Sequence, residues 1–125
     1  MLRFLLVGAI GTAFSCQQPA STSSVTPAQL IGKTIEVNYG EDVFHVTFDS
    51  DSVLRWTAEA GAEKGAAETE TYKAELVNVN QVFITWGEAN GIGVSQILDF
   101  DKGLVYNHLL RGREVRIGQG KIRIL

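Results

Sequence analysis

The sequence predicts an all-β fold: a small antiparallel up-and-down β-barrel with about eight strands and a short N-terminal helical turn. Three observations point to it. Apolar and polar residues alternate with period two from Lys33 to the C-terminus, as they do in half-buried strands. Gly, Asn, Asp and Ser recur as turn residues roughly every 8 to 12 positions, the spacing of sandwiches and barrels rather than of βαβ units. The connectors are short, which favours hairpins in series, and closing such a meander removes the edges that would otherwise template aggregation.

The N-terminus has a different character. Met1 to Arg3 is a short positive region, Phe4 to Ile10 is apolar, and Gly11 to Ser15 is small or apolar before Cys16. This is the layout of a secretory signal, so residues 1–15 are read as a signal peptide. The apolar stretch is too short to span a bilayer as a helix of about 20 residues. Ala13-Phe14-Ser15-Cys16 resembles a bacterial lipobox. That resemblance implies that Cys16 receives a diacylglyceryl group, becomes the mature N-terminus and anchors the protein to a membrane. An ordinary signal with an incidental cysteine is the alternative. Gln17 rather than aspartate follows Cys16, and resemblance to Gram-negative lipoproteins then implies the periplasmic face of the outer membrane if the host is Gram-negative. Residues 16–25, rich in Ser, Thr, Gln and Pro, read as a flexible tether.

The domain then occupies residues 26–125. Thr26-Pro27-Ala28-Gln29 predicts one helical turn with Thr26 as N-cap, Pro27 at the first helical position and Gln29 closing a capping box, with Gly32 ending it. Strands are expected at 33–39, 43–49, 52–58, 68–77, 81–86, 92–100 and 104–110. An eighth runs over 114–117 and continues through 121–125, with Gly118-Gln119-Gly120 marking a turn or bulge. Asn90-Gly91 is the strongest hairpin signal. Residues 60–67, rich in Ala and Gly, are read as either a loop or a helical turn. One face collects Ile35, Val37 and Tyr39, then Phe44, Val46 and Phe48, Leu54 and Trp56, Tyr72, Ala74 and Leu76, and Val82, Ile84 and Trp86. Thr34, Glu36 and Asn38 stand on the other face of the first strand, as a solvated exterior requires.

The run from Val82 through Thr85-Trp86-Gly87-Glu88 and Gly91 to Val94, then Ile97-Leu98-Asp99-Phe100 and Val105, with Gly32-Lys33 before the first strand, resembles the MoaF-like domain. The resemblance implies a calycin, lipocalin-like barrel; the family takes its name from a protein linked to the molybdenum cofactor. The outline is also similar to phenolic acid decarboxylases, which use first-strand tyrosines with an arginine and a glutamate. Tyr39 matches one tyrosine, but Val37 stands at the other. No arginine lies between Glu59 and Gln81, and Val79 or Asn80 falls where the glutamate is expected.

Charge and chemistry narrow the function. With 11 basic and 14 acidic residues the net charge is −3, and apart from Arg111, Arg113, Arg116, Lys121 and Arg123 the cations are scattered, so no nucleic-acid partner is expected. The single cysteine excludes an internal disulfide, and no Cys/His spacing suggests a metal site. No Gly-x-Ser-x-Gly context surrounds any serine, so no catalytic residue, cofactor or metal is assigned.

The expected ligand-binding set is Tyr39, Trp56, Tyr72 and Trp86 on inward phases, Gln96 in phase with Val94 and Leu98, and Tyr106 with His108 facing the barrel mouth together. His45 and Glu88 are read as surface groups. The leading reading is a non-catalytic envelope lipoprotein whose barrel binds a small, partly apolar molecule. A lyase of the decarboxylase type and a structural interaction module are the alternatives; no protein partner can be named.

Replacing Cys16 with Ala should abolish fatty-acid incorporation in metabolic labelling and leave the precursor uncleaved. Unchanged labelling of the variant would refute the anchor.

Overall fold

A computed structural model describes residues 24–125. The expected signal peptide, Cys16 and all but the end of the tether lie outside the described residues. Helix α1 (Pro27–Leu30) is followed by β1 (Thr34–Asn38), β2 (Val43–Phe48), β3 (Val53–Ala60), β4 (Ala67–Asn78), β5 (Gln81–Gly87), β6 (Gly93–Asp99), β7 (Leu104–Arg111) and β8 (Glu114–Ile124). Each strand pairs antiparallel with the next, and β8 returns to β1 through Ile35 opposite Ile124 and Val37 opposite Ile122, closing the barrel.

The local signals act as chemistry demands. Thr26 Oγ1 accepts from Gln29 N at 3.4 Å and Thr26 N donates to Gln29 Oε1 at 3.2 Å, completing the capping box. Gly32 takes φ +81°, the left-handed region that suits glycine, and donates its N–H to Phe48 O at 2.7 Å. Residues 61–66 form tight turns rather than a helix, with Lys64 N bonded to Gly61 O and Ala66 N to Glu63 O. The eighth strand is unbroken, since neither Gly118 nor Gly120 adopts positive φ and both remain in the ladder opposite Asn107 and Val105.

The two ends of the barrel are packed differently. At the end where α1 sits, Ile35, Phe48, Leu54, Tyr72, Leu98 and Val105 converge from alternate strand positions, and each is essentially inaccessible to solvent, as is Leu30 of α1, which caps them. Phe48 and Tyr72 meet edge-to-face with ring centroids 5.5 Å apart. Full burial of each such side chain stabilises by about 1.5–3 kcal/mol.

Polar anchors fix the turns at this end. Asp99, 2% exposed, accepts the backbone N–H groups of Asp101 and Lys102, each at 3.0 Å, and the Gln81 amide at 3.0 Å. Those bonds, led by the one from Lys102, hold its carboxyl below the usual carboxylate range. Asn80 accepts from Val25 N and donates to Asp101 Oδ1, both at 2.7 Å, tying the chain entering the domain to the closed end.

Leu76, expected inside, is instead 48% exposed. β3 pairs with β4 only as far as Thr71, and a register shift falls between Leu76 and Asn78, so the β4–β5 hairpin runs past the packed interior.

The opposite end is opened by small residues. On β8 the inward phase passes through Ile122, Gly120, Gly118 and Arg116, because Gly120, Gly118 and Arg116 oppose Val105, Asn107 and Leu109. A Cβ at Gly120 would lie 2.6 Å from Asn38 O and 2.8 Å from Tyr39 Cδ1, whereas one at Gly118 would meet nothing within 4 Å. Gly120→Ala should therefore cost about 1–3 kcal/mol in a denaturant melt. Gly118→Ala should be neutral or stabilise by up to about 1 kcal/mol, because it restricts the unfolded chain without a clash. Equal losses at both positions would contradict this geometry.

Candidate functional site

At the open end the barrel holds a cavity of about 640 Å³, large enough for one small organic molecule. Its walls differ in chemistry. The last residues of the β1–β2 hairpin and the middle of β3 supply an aromatic wall. Tyr39 stands edge-to-face against Phe44 with centroids 6.2 Å apart, and Phe44 stands likewise against Trp56 at 6.0 Å. These positions face inward because Val37, Val46 and Ala58, two residues along each strand, are buried on the same phase.

The opposing wall comes from β5, β6 and β7. Gln96 lies between Val94 and Leu98 on the buried phase of β6 and is 6% exposed. Its Nε2 donates to the Tyr39 hydroxyl at 3.2 Å and to Asn107 Oδ1 at 3.1 Å, bridging the two walls. Burial pushes the Tyr39 phenol up to about 12, against a smaller opposing effect of the Gln96 bond, so it is neutral at physiological pH. Two buried polar atoms in this cavity are unpartnered: Oε1 of Gln96 and Nε1 of Trp86. An unsatisfied buried polar atom costs about 1–3 kcal/mol.

Carboxylates rim the mouth. Glu88 follows Trp86 by two residues on the inward phase, is half-buried and lines the cavity with Glu63 of the β3–β4 turn. Desolvation raises the affinity of Glu88 for its proton, and Glu68 and Glu63 reinforce the effect. The nearby Trp86 indole opposes it without coming within hydrogen-bonding reach. Glu70 of β4 is 7% exposed and accepts Trp56 Nε1 at 3.4 Å. Burial, with Glu68 beside it, pushes Glu70 up to about 7.

Of the residues singled out from sequence, Tyr39, Trp56, Trp86 and Gln96 line this one cavity. Tyr72 is buried at the packed end, where its hydroxyl donates to Ser50 O at 2.6 Å. Tyr106 and His108 stand on the outer face, exposed, rather than at the mouth. The strand LVYNHLL has apolar residues on both phases, and the pairing of Gln96 with Asn107 settles which one faces in.

Asn107, on the phase shared with Val105 and Leu109, is the inward polar residue that sequence reasoning missed. Glu70 was missed as well, and Glu88, read as a surface group, is half-buried in the cavity wall. They fall in phase with Tyr72 and Trp86, but carboxylates on an otherwise apolar phase read as strand ends emerging into water. Among the described residues no group of three or more His, Cys, Asp and Glu is placed to hold a metal ion.

Comparison with known proteins agrees with this architecture. A crystal structure of a Burkholderia vietnamiensis protein, provisionally described as a beta-lactamase, superposes with a TM-score of 0.72 at 26% sequence identity, covering 77% of this chain and 95% of the Burkholderia chain. No curated protein matches the sequence. The MoaF-like family matches residues 31–123. Both the Trp86-x-Glu88 hairpin at the cavity mouth and the Asp99 turn at the closed end fall inside that span, and over it, most of its length, the chain belongs to the MoaF-like family.

Proposed function

We propose that the barrel is a binding domain that takes a small, partly apolar molecule into its open half, in a protein exported and held in the cell envelope by lipid on Cys16. The observation that carries the reading is the pair of unpartnered buried atoms, Trp86 Nε1 and Gln96 Oε1, in the same cavity. One is a donor and the other an acceptor. A molecule with an apolar body and complementary polar groups relieves both costs and covers the aromatic wall. This is the usual composition of a small-molecule site, mostly apolar with a few placed polar groups.

Catalysis finds less support. The chain contains no Ser-x-x-Lys pair, so a lactam-hydrolysing serine of that type has no counterpart here. An interaction module is favoured by one feature: Ile97, Tyr106, Leu110, Val115 and Ile117 form an exposed apolar stripe on the outer face of β6–β8. It meets the cavity at Ile117, which also lines the mouth, and is compatible with binding inside it.

The barrel closes all its strand edges within residues 34–124, and the Burkholderia chain is almost entirely this barrel. Pairing of every strand edge inside this span supports independent folding of residues 24–125. The chain has only two tryptophans, both lining the cavity. A ligand entering it should change their emission and raise the melting temperature of the 24–125 domain in a screen of envelope metabolites and small aromatic acids. Trp86→Phe keeps the apolar bulk and removes the unpaired donor. It should weaken binding several-fold and diminish the emission response while changing stability by no more than about 1 kcal/mol. Absence of any thermally stabilising hit would contradict the reading.

A further inference from the structure

The charge of the occupant can be read from the cavity walls. Tyr39, Phe44 and Trp56 present a continuous aromatic surface on one side, and Trp86 lines the cavity with them. The faces of such rings carry negative electrostatic potential and attract a cation lying within about 6 Å, more strongly when water is excluded. The acidic lining groups are Asp42, Glu63 and Glu88, with Glu68 and Glu70 close behind Glu88. The one basic lining residue, Arg116, is 75% exposed and places Nη2 2.9 Å from Glu114 Oε1. Deeper in, Gln96 Oε1 is a buried acceptor with no donor. An anion would meet uncompensated carboxylates at the mouth, and a neutral hydrocarbon would leave the acceptor unpaired.

We propose that the cavity selects a protonated amine on an apolar body, drawn in by the aromatic lining and the Glu88 carboxylate at the mouth, with the free amide oxygen of Gln96 as an acceptor deeper in. This rests on the cavity being a ligand site and adds the charge class of the ligand. It also gives binding a pH dependence of definite sign. Glu88 faces Glu63, Glu68, Trp86 and Asn90, and Glu70 faces Glu68, Glu88 and Trp56. Among the described residues no basic group acts on either carboxyl. Both carboxyls hold their protons to higher pH than ordinary glutamates, so the site gains negative charge as pH rises through the range about Glu70's value of about 7. An alkylammonium, with a pKa near that of lysine at about 10.4, keeps its charge throughout. Amine binding therefore tightens with increasing pH.

The test compares three probes with one apolar body and different charge: 1-adamantanemethylamine, 1-adamantanemethanol and 1-adamantanecarboxylate, titrated into the 24–125 domain by tryptophan emission and thermal shift. The amine should bind about tenfold more tightly than the alcohol at pH 8, a margin of about 1.4 kcal/mol, and the carboxylate should bind most weakly. The margin between amine and alcohol should shrink at pH 5.5. Glu88→Gln should reduce it several-fold at pH 8 by weakening the amine more than the alcohol; equal losses for both probes would overturn the charge assignment. If the alcohol or the carboxylate binds as tightly as the amine, selection for a cation is overturned while the cavity remains a ligand site. If none of the three alters emission or melting temperature, both readings fall.

Discussion

Pairing of β8 with β1, from Ile35 opposite Ile124 to Asn38 opposite Lys121, closes the sheet on itself, and the division of the molecule into inside and outside depends on that ring of hydrogen bonds. Once it is closed, every second residue must point to the axis, whatever its chemistry. Eight strands enclose a space that side chains can just fill or that can hold one small ligand. This sequence does both at different heights. Toward α1 the inward positions carry Ile, Leu, Val, Phe and Tyr, and the space is packed. Toward the β5–β6 hairpin they carry Ala58, Gly118 and a row of aromatics that line rather than plug it. The glycines of β8 serve two purposes: Gly120 admits the close approach of Asn38 and Tyr39, and Gly118 leaves room.

The polar groups on the inward phase are distributed with equal asymmetry. At the packed end Asp99 is buried with two backbone donors and an amide, so its ionised form is fully served, and it organises the turn into β7. At the open end Trp86 Nε1 and Gln96 Oε1 are left without partners, and the carboxyls of Glu70 and Glu88 are held against their preference for water. Buried polar groups are nearly always satisfied, and groups with shifted proton affinity gather where binding or chemistry takes place. The contrast between the two ends locates the functional half of the barrel more clearly than any one residue does.

The fold was legible in the sequence because its determinants are local. Alternation, the Asn90-Gly91 hairpin and the Thr26-to-Gln29 capping box each act within a few residues, and strand limits shifted only where pairing partners run out. The aromatic wall was legible for the same reason, since Tyr39, Trp56 and Trp86 follow clean alternation from buried neighbours. Register was not. In β7 either phase could face inward, and only the partnership of Gln96 with Asn107 across β6 moves Tyr106 and His108 outside. The continuity of β8 through Gly118 and Gly120 is likewise decided by β7 alongside it. The acidic groups escaped because Glu70 lies on β4 and Glu88 just past the end of β5, and nothing in either local pattern announces that they come near one another.

The central claim is that the open half of the barrel is a site shaped for a molecule the chain itself does not supply. A high-resolution crystal structure of the 24–125 domain, with a bound molecule captured in the cavity, tests it most directly. The account predicts a ligand in contact with both Trp86 Nε1 and Gln96 Oε1, seated against the Tyr39–Phe44–Trp56 wall, with the barrel unchanged around it. A structure in which Trp86 and Gln96 turn to bond other protein groups and neighbouring side chains fill the space would contradict it.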